Sequence, residues 1–392
     1  KFPQKYINKI AMKRVTLVVG FLFCALLWGC SKDDSGLTPE PKPQVQKSKE
    51  CNLNTFGFAK ADNAKLIQDA IVQVTSNQIE IEVHATVDVS NLITTFTSSA
   101  KSTVKIGGIV QTDHTTSNNF SNPVTYTVLA EDGTTANTYT VTVKKVAILK
   151  SVEPLIKNKW VTFTYPYNIY YPEFTGKNSV NGHVGNACGP TALAKILGHM
   201  KYPVNGSGKI DFDDKYGEPV HWTVDLETMN LNYSNMPDNL SSSDPESKYR
   251  DVAKLFQATA AVGHYYIIWN RDVYPSLVEA IKTHFKLSSD LKLVNRWEVT
   301  RDKWIEILKT ELSSGRPVMI AGRTKNSPAP WEAGSSSGHW FNVDGYNSVG
   351  EFHVLYNYGP VGSPIQGYFD ADNLGAEYIA YNQMIIGFAP KN

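Results

Sequence analysis

Two residues far apart in the chain have the types and settings that thiol chemistry needs. The stretch "NACGPTALAKILGHMKYP" (186–203) puts Cys188 directly before Gly189-Pro190. Ala192, Leu193, Ile196, Leu197 and Met200 then recur as one face of a buried helix. Pro190 suits a first helical turn, where its missing N–H costs nothing, and the helix should stop near Tyr202-Pro203. Cys188 therefore stands just ahead of a helix N-terminus. There the dipole and free N–H groups stabilise a thiolate and lower the thiol pKa. The same amides can bind an oxyanion.

A thiol nucleophile needs a base, and among nine histidines His339 is the best placed. It opens "HWFNVDGY", which with "EFHVLYNY" reads as a hairpin around Asn347-Ser348-Val349-Gly350. The preceding "SPAPWEAGSSSG" suits a mobile flap. A loop over 347–349 would set Asn357 opposite His339 to accept its N–H; one residue more would put Tyr358 there. Asp344 is a further candidate partner, although five residues along a strand it faces the other side. His353 reads as a core histidine, and His199 lies too far up the helix to touch the thiol. No HExxH, CxxC or Gly-rich phosphate loop is present, so no metal, nucleotide or other cofactor is expected.

The elements that must position this pair fall in the second half of the chain. From about residue 148, helical patterns come first ("DVAKLFQATAAVG", "VYPSLVEAIKTHF", "DKWIEILKTELSSG") and strands gather at the C-terminus, an α+β pattern. Residues 51–147 are different. Ile79, Ile81, Val83, Ala85 and Val87, then Val124, Tyr126 and Val128, then Tyr139, Val141 and Val143 alternate as half-buried strands, with "EDG" (131–133) turning between the last two. A small β-sandwich is expected. A Pro-rich tether occupies 31–50, and 1–30 hold upstream residues and an export signal: Lys13-Arg14 followed by "VTLVVGFLFCALLWGC".

A net charge of +1 on 392 residues, with no long basic run, gives nucleic acid no electrostatic handle. Four cysteines are too few for a disulfide scaffold. Cys24 leaves with the signal, so Cys51 and Cys188 remain as free thiols or as one pair. "LLWGC" resembles a bacterial lipobox, which implies a lipidated Cys30 holding the chain to the outer membrane. "SKDDSG" after it is similar to the surface-export signal of Bacteroidetes-type lipoproteins. Ordinary cleavage to a soluble secreted protein is the alternative.

"VEPLIKNKW…YPYN", "CGPTALAKILGHMKYP", "KWIEILKTELSSGRPVMIAG" and "GHWFNVDGYNSVGEFHVLYNYG" occur in the order found in streptopain-like cysteine peptidases. The resemblance covers about 150–390. It implies a papain-like fold, Cys188 as nucleophile and His339 as base, and protein or peptide substrates cleaved through an acyl-enzyme. The family's Gln after the tryptophan, which helps bind the oxyanion, is replaced by Thr162 or Phe163. Asn181 and Asn186 are the other candidate donors. The family's Asn-Trp-Gly-Trp reads Leu355-Tyr356-Asn357-Tyr358. Tyr265, Tyr266 and Trp269 fall where the family builds part of its cleft, and Trp340 flanks the base. The family's inhibitory pro-segment is replaced by the sandwich, whose "NFSNPVTYTVLAEDGTTANTYTVTV" resembles the immunoglobulin-like modules of surface lipoproteins. These departures leave open a catalytically silent binding protein on the same fold.

Overall fold

A computed structural model describes residues 46–391 except 163, 178, 215–218, 267–273, 326–337, 360–364 and 375–377; the side chains of 264–266 and 274–275 are also undescribed. The expected export signal, Cys30 and Trp269 lie outside the described residues. Ser48–Asn392 form one compact unit.

The first ten strands are β1 (Leu53–Phe58), β2 (Ala70–Gln73), β3 (Gln78–His84), β4 (Leu92–Ile93), β5 (Thr95–Ser98), β6 (Thr103–Ile106), β7 (Ile109–Val110), β8 (Ser117–Asn118), β9 (Val124–Leu129) and β10 (Ala136–Val146). Sheets β2-β1-β5 and β3-β10-β9-β6-β7 enclose one core, where Phe56 and Phe58 meet Ile79, Ile81, Tyr126, Val128 and Val141. Alternation in β3 and β9 buries Ile79, Ile81, Val83, Tyr126 and Val128, with Val124 half-buried and Ala85, beyond the end of β3, exposed; the sandwich expected from the sequence is present.

The remaining elements are β11 (Ser179–Val180), β12 (His183–Val184), α1 (Cys188–Met200), β13 (Lys209–Asp213), β14 (His221–Asp225), α2 (Glu246–Tyr266), α3 (Tyr274–His284), β15 (Lys292–Asn295), α4 (Arg301–Ser313), β16 (Val318–Arg323), β17 (Gly338–Tyr346), β18 (Phe352–Leu355), β19 (Gln366–Phe369) and β20 (Ala380–Ile386). Helix α1 buries Ala192, Leu193, Ile196 and Leu197 of the expected face, leaves Met200 half-buried, and ends on Lys201 in the left-handed conformation, φ 52°. Thr300 caps α4 by accepting from Lys303 N.

Strands β15-β20-β16-β17-β18-β19 form one antiparallel sheet. Alternation sends Met319, Ala321, Trp340 and Ile385 toward the core shared with α1 and α2. Val318, Ile320, Phe341, Val343 and Met384 face Trp304, Leu308 and Leu312 of α4. The α+β class holds, with the sheet sandwiched between helices. β17 is its middle, and both candidate catalytic groups are placed against that strand.

At Gly345 a backbone passes unusually close. A Cβ there would lie 2.7 Å from Val152 O, and Val152 and Tyr346 exchange two backbone bonds at that point. Backbone cannot swing aside as a side-chain tip can. We expect Gly345→Ala to lower stability by about 1–3 kcal/mol in urea unfolding, outweighing the roughly 0.5–1 kcal/mol that Ala gains over Gly in a strand. An unchanged midpoint would contradict the close approach.

Candidate active site

Cys188 is the first residue of α1 and Ala187 its N-cap, with no side chain capping the first turn. The amides of Cys188 and Gly189 face the sulfur. Trp340 N donates to Cys188 Sγ from β17 at 3.5 Å. These N–H groups favour a thiolate. The thiol is nevertheless only 7% exposed, and burial outweighs them, so its pKa lies above the ordinary thiol value. The lowered thiol pKa expected from the helix N-terminus is thus corrected: desolvation is the larger effect.

His339, one residue before Trp340, is fully buried. Its Nε2 lies 2.6 Å from Tyr356 O. A carbonyl oxygen only accepts, so Nε2 carries the proton. Nδ1 is then a bare acceptor, and it has no hydrogen-bond partner among the described residues. Tyr358 stacks on the imidazole at 4.2 Å, with Tyr378 at 5.1 Å. Burial drives the imidazole pKa down from 6.5 to about 4, against the opposing bond to Tyr356. No hydrogen bond joins the thiol to the ring among the described residues, and both groups are neutral near pH 7.

Register explains which residue meets His339. Tyr346 pairs with Phe352, so 347–351 form the hairpin loop, and the ladder shifts between Val343 and Gly345 before Asn342 pairs with Leu355. The ladder ends at that pair, Asn357 beyond it is left-handed with φ 62°, and Tyr358 is the residue whose ring meets His339. Asn357 is corrected as the orienting partner: it falls on the other face and its Nδ2 donates to Asn342 Oδ1. Asn342 in turn donates to Ala192 O of α1. Asp344, also on that face, accepts from Ile156 N and lies 2.7 Å from His353 Nδ1. His353 is accordingly a buried structural partner.

The oxyanion candidates are corrected too. Asn186 donates to Val161 O and to Thr191 Oγ1 and accepts from Thr164 N. Thr162 donates its hydroxyl to Asn186 O and its N–H to Asn357 O. Backbone carbonyls and the Thr191 hydroxyl therefore consume the Asn186 and Thr162 donors that look free in the sequence. Asn181 sits at the exposed turn between β11 and β12 with φ 52°. Trp340 is fully buried against α1, so it is core and not cleft wall. Tyr265 and Tyr266 end α2, with side chains outside the described residues. Cys51 and Cys188 are both free thiols.

Lys195 escaped the sequence reading. It is fully buried on α1, and its Nζ donates to Asn158 O and Trp160 O at 3.0 Å each. Desolvation lowers its pKa to about 7, with Asp344 opposing. Its signal was a lysine at the centre of an otherwise apolar helix.

A family model described as Peptidase C10 matches residues 161–369, and one described as SGBP, N-terminal matches 59–143. The thiol protease/hemagglutinin PrtT of Porphyromonas gingivalis is 28% identical over 50% of this chain and 21% of its own length. Streptopain of Streptococcus pyogenes serotype M1 is 23% identical over 61% of this chain. The match spans 63% of streptopain, so the chain covers only part of both relatives. The structure of active wild-type Prevotella intermedia interpain A cysteine protease superposes with TM-score 0.51 and 24% identity, over 62% of this chain and 96% of that one. A fragment of prointerpain A gives TM-score 0.50 at 23% identity, over 63% and 74% of the two chains. The papain-like fold is that of these neighbours.

The buried neutral ring links the site to stability. An unfolded histidine takes a proton near 6.5, the folded one near 4. Its contribution is therefore complete above 6.5 and lost as pH falls toward 4, amounting to about 3 kcal/mol. Wild type should lose about that much more stability than His339→Gln between pH 7 and 4 in urea unfolding. Parallel losses would show that the ring is not held neutral.

Proposed function

The chain belongs to the Peptidase C10 family, and from that premise we propose a cysteine endopeptidase with Cys188 as nucleophile and His339 as general base. The observation that carries this reading is the bare His339 Nδ1, a buried acceptor fixed by the Tyr356 carbonyl beside the strand position that meets the sulfur. Substrate is protein or peptide.

The chemistry then runs from neutral groups. The Cys188 proton passes to Nδ1 as sulfur bonds to the substrate carbonyl carbon, and the carbonyl electron pair moves onto oxygen. First-turn amides of α1 stabilise that oxyanion. The C–N bond breaks, the amine leaves with the proton from Nδ1, and a thioester remains. Water adds to it, giving its proton to Nδ1; the S–C bond breaks and sulfur recovers the proton. Tyr356 O does for the imidazole what an Asn side chain was expected to do. We also propose a lipid anchor at Cys30 in the outer membrane, supported by "LLWGC" and the acidic residues after it.

A second reading, a catalytically silent surface binding protein, is favoured by the 7% exposure of Cys188 and the committed side chains of Thr162 and Asn186. A peptidyl epoxide separates the two. Labelling of Cys188, and cleavage of a general protein substrate that Cys188→Ala abolishes, support the peptidase; neither event would support the silent protein. Because Nδ1 must be unprotonated, the acid limb of kcat/KM should fall near pH 4, following the lowered His339 pKa. A limb at 6.5 would mean an unperturbed base.

A further inference from the structure

Residues 59–69 of the all-β region form a loop whose shape is fixed internally. Asn63 Nδ2 donates to Ala59 O and Ile93 O, and its Oδ1 accepts from Ile93 N, all at 2.9 Å. Lys60 N is held by Asp69 Oδ1 at 2.7 Å. From this frame two consecutive residues enter two different cores. Leu66 is buried in the sandwich core, while Ile67 packs into the core between α4 and the six-stranded sheet, against Gly315.

Gln68 follows, and both ends of its amide read backbone. Nε2 donates to Ser151 O at 3.0 Å, and Oε1 accepts from Glu153 N at 2.8 Å. The other side of that segment is pinned to β17. Val152 and Tyr346 exchange backbone bonds at 2.8 Å, and Leu155 N and Ile156 N bond to Asp344 at 2.9 Å. Residues 151–156 thus lie between Gln68 and the strand that carries His339. The same chain continues to Asn158 and Trp160, whose carbonyls Lys195 holds, and to Thr162, bonded to Asn186 and Asn357.

The docking point is at the far end of α1. Gly315 O meets His199 Nε2 at 3.3 Å, and His199 is eleven residues beyond Cys188, about 16 Å along a helix. A region that blocked the thiol would have to contact the other end.

We propose that the all-β region is a permanent buttress of the proposed peptidase site. Ile67 and Gln68 act as positioning residues that hold 151–162 against β17 from behind, and the uncleaved chain is the working form. This rests on the peptidase reading above, and it assigns the N-terminal region a supporting role in place of an occluding one.

The test uses the full chain with Gln68→Ala and Ile67→Asp. Hydrogen exchange at 151–156 reads docking without reference to activity. We expect the Glu153 amide to exchange about tenfold faster in Gln68→Ala, and kcat/KM to fall about three- to tenfold in both variants. Intact mass of the epoxide-labelled wild type should show the label on uncleaved chain. Unchanged exchange in both variants, a rise in kcat/KM, or label confined to a fragment lacking 51–147 would overturn the proposal. If no species takes the label while exchange responds, the peptidase reading fails and the working-form claim falls with it, but the docking stands.

Discussion

The bond from His339 Nε2 to the Tyr356 carbonyl, at 2.6 Å, decides the chemical character of the site. A carbonyl has no proton to give, so this single contact places the ring proton on Nε2 and leaves Nδ1 as a lone pair. The β17–β18 ladder shifts by one residue beside Asp344 and ends at Asn342–Leu355, and beyond it the chain turns through Asn357 at φ 62°. Tyr358 then covers the ring face at 4.2 Å. Since the acceptor belongs to the backbone, orientation of the base depends on strand register and not on the side chain at 357.

Two opposing effects set the charge state of the pair. A helix N-terminus favours a nearby anion by about 0.3–1 kcal/mol when exposed and up to about 2 when partly buried. Removing a thiolate or an imidazolium from water costs more than that when no counter-charge touches it. Cys188 and His339 are both buried, with raised and lowered pKa respectively. A neutral resting pair follows, and in the proposed mechanism proton transfer accompanies the attack. The wall behind the pair is also polar. Lys195 ties the 158–160 carbonyls to α1, and Asp344 joins His353 to Ile156 N. These bonds hold the segment in one position, while Asn158 Oδ1 and Asn357 Oδ1 are buried without a hydrogen-bond partner among the described residues.

Much of this is legible in the sequence. The apolar spacing after Cys188 marks α1, Gly-Pro marks its first turn, and the strand–loop–strand pattern around Asn347 marks the hairpin bearing His339. The partner of His339 was not, for a physical reason. A one-residue bulge and the true loop length exchange the residues that face it, and composition does not report a bulge. A carbonyl acceptor also leaves no side-chain signature. Thr162 and Asn186 looked like free donors because sequence shows the hydroxyl and amide but not the carbonyls that take them. Trp340 reads equally as cleft wall or core; only the pleat decides, and it points the indole at α1. The sandwich was clear from alternation, but its docking through Ile67 and Gln68 lies in a loop without periodicity.

The central claim is that the imidazole of residue 339 is neutral, protonated on Nε2 and bare at Nδ1. Nitrogen-15 NMR of the histidine side chains in the full chain between pH 6 and 8 addresses it directly. A pyrrole-type Nε2 and a pyridine-type Nδ1 at His339, unchanged across that range, is the predicted result. Two protonated nitrogens, or a proton on Nδ1, would contradict the account.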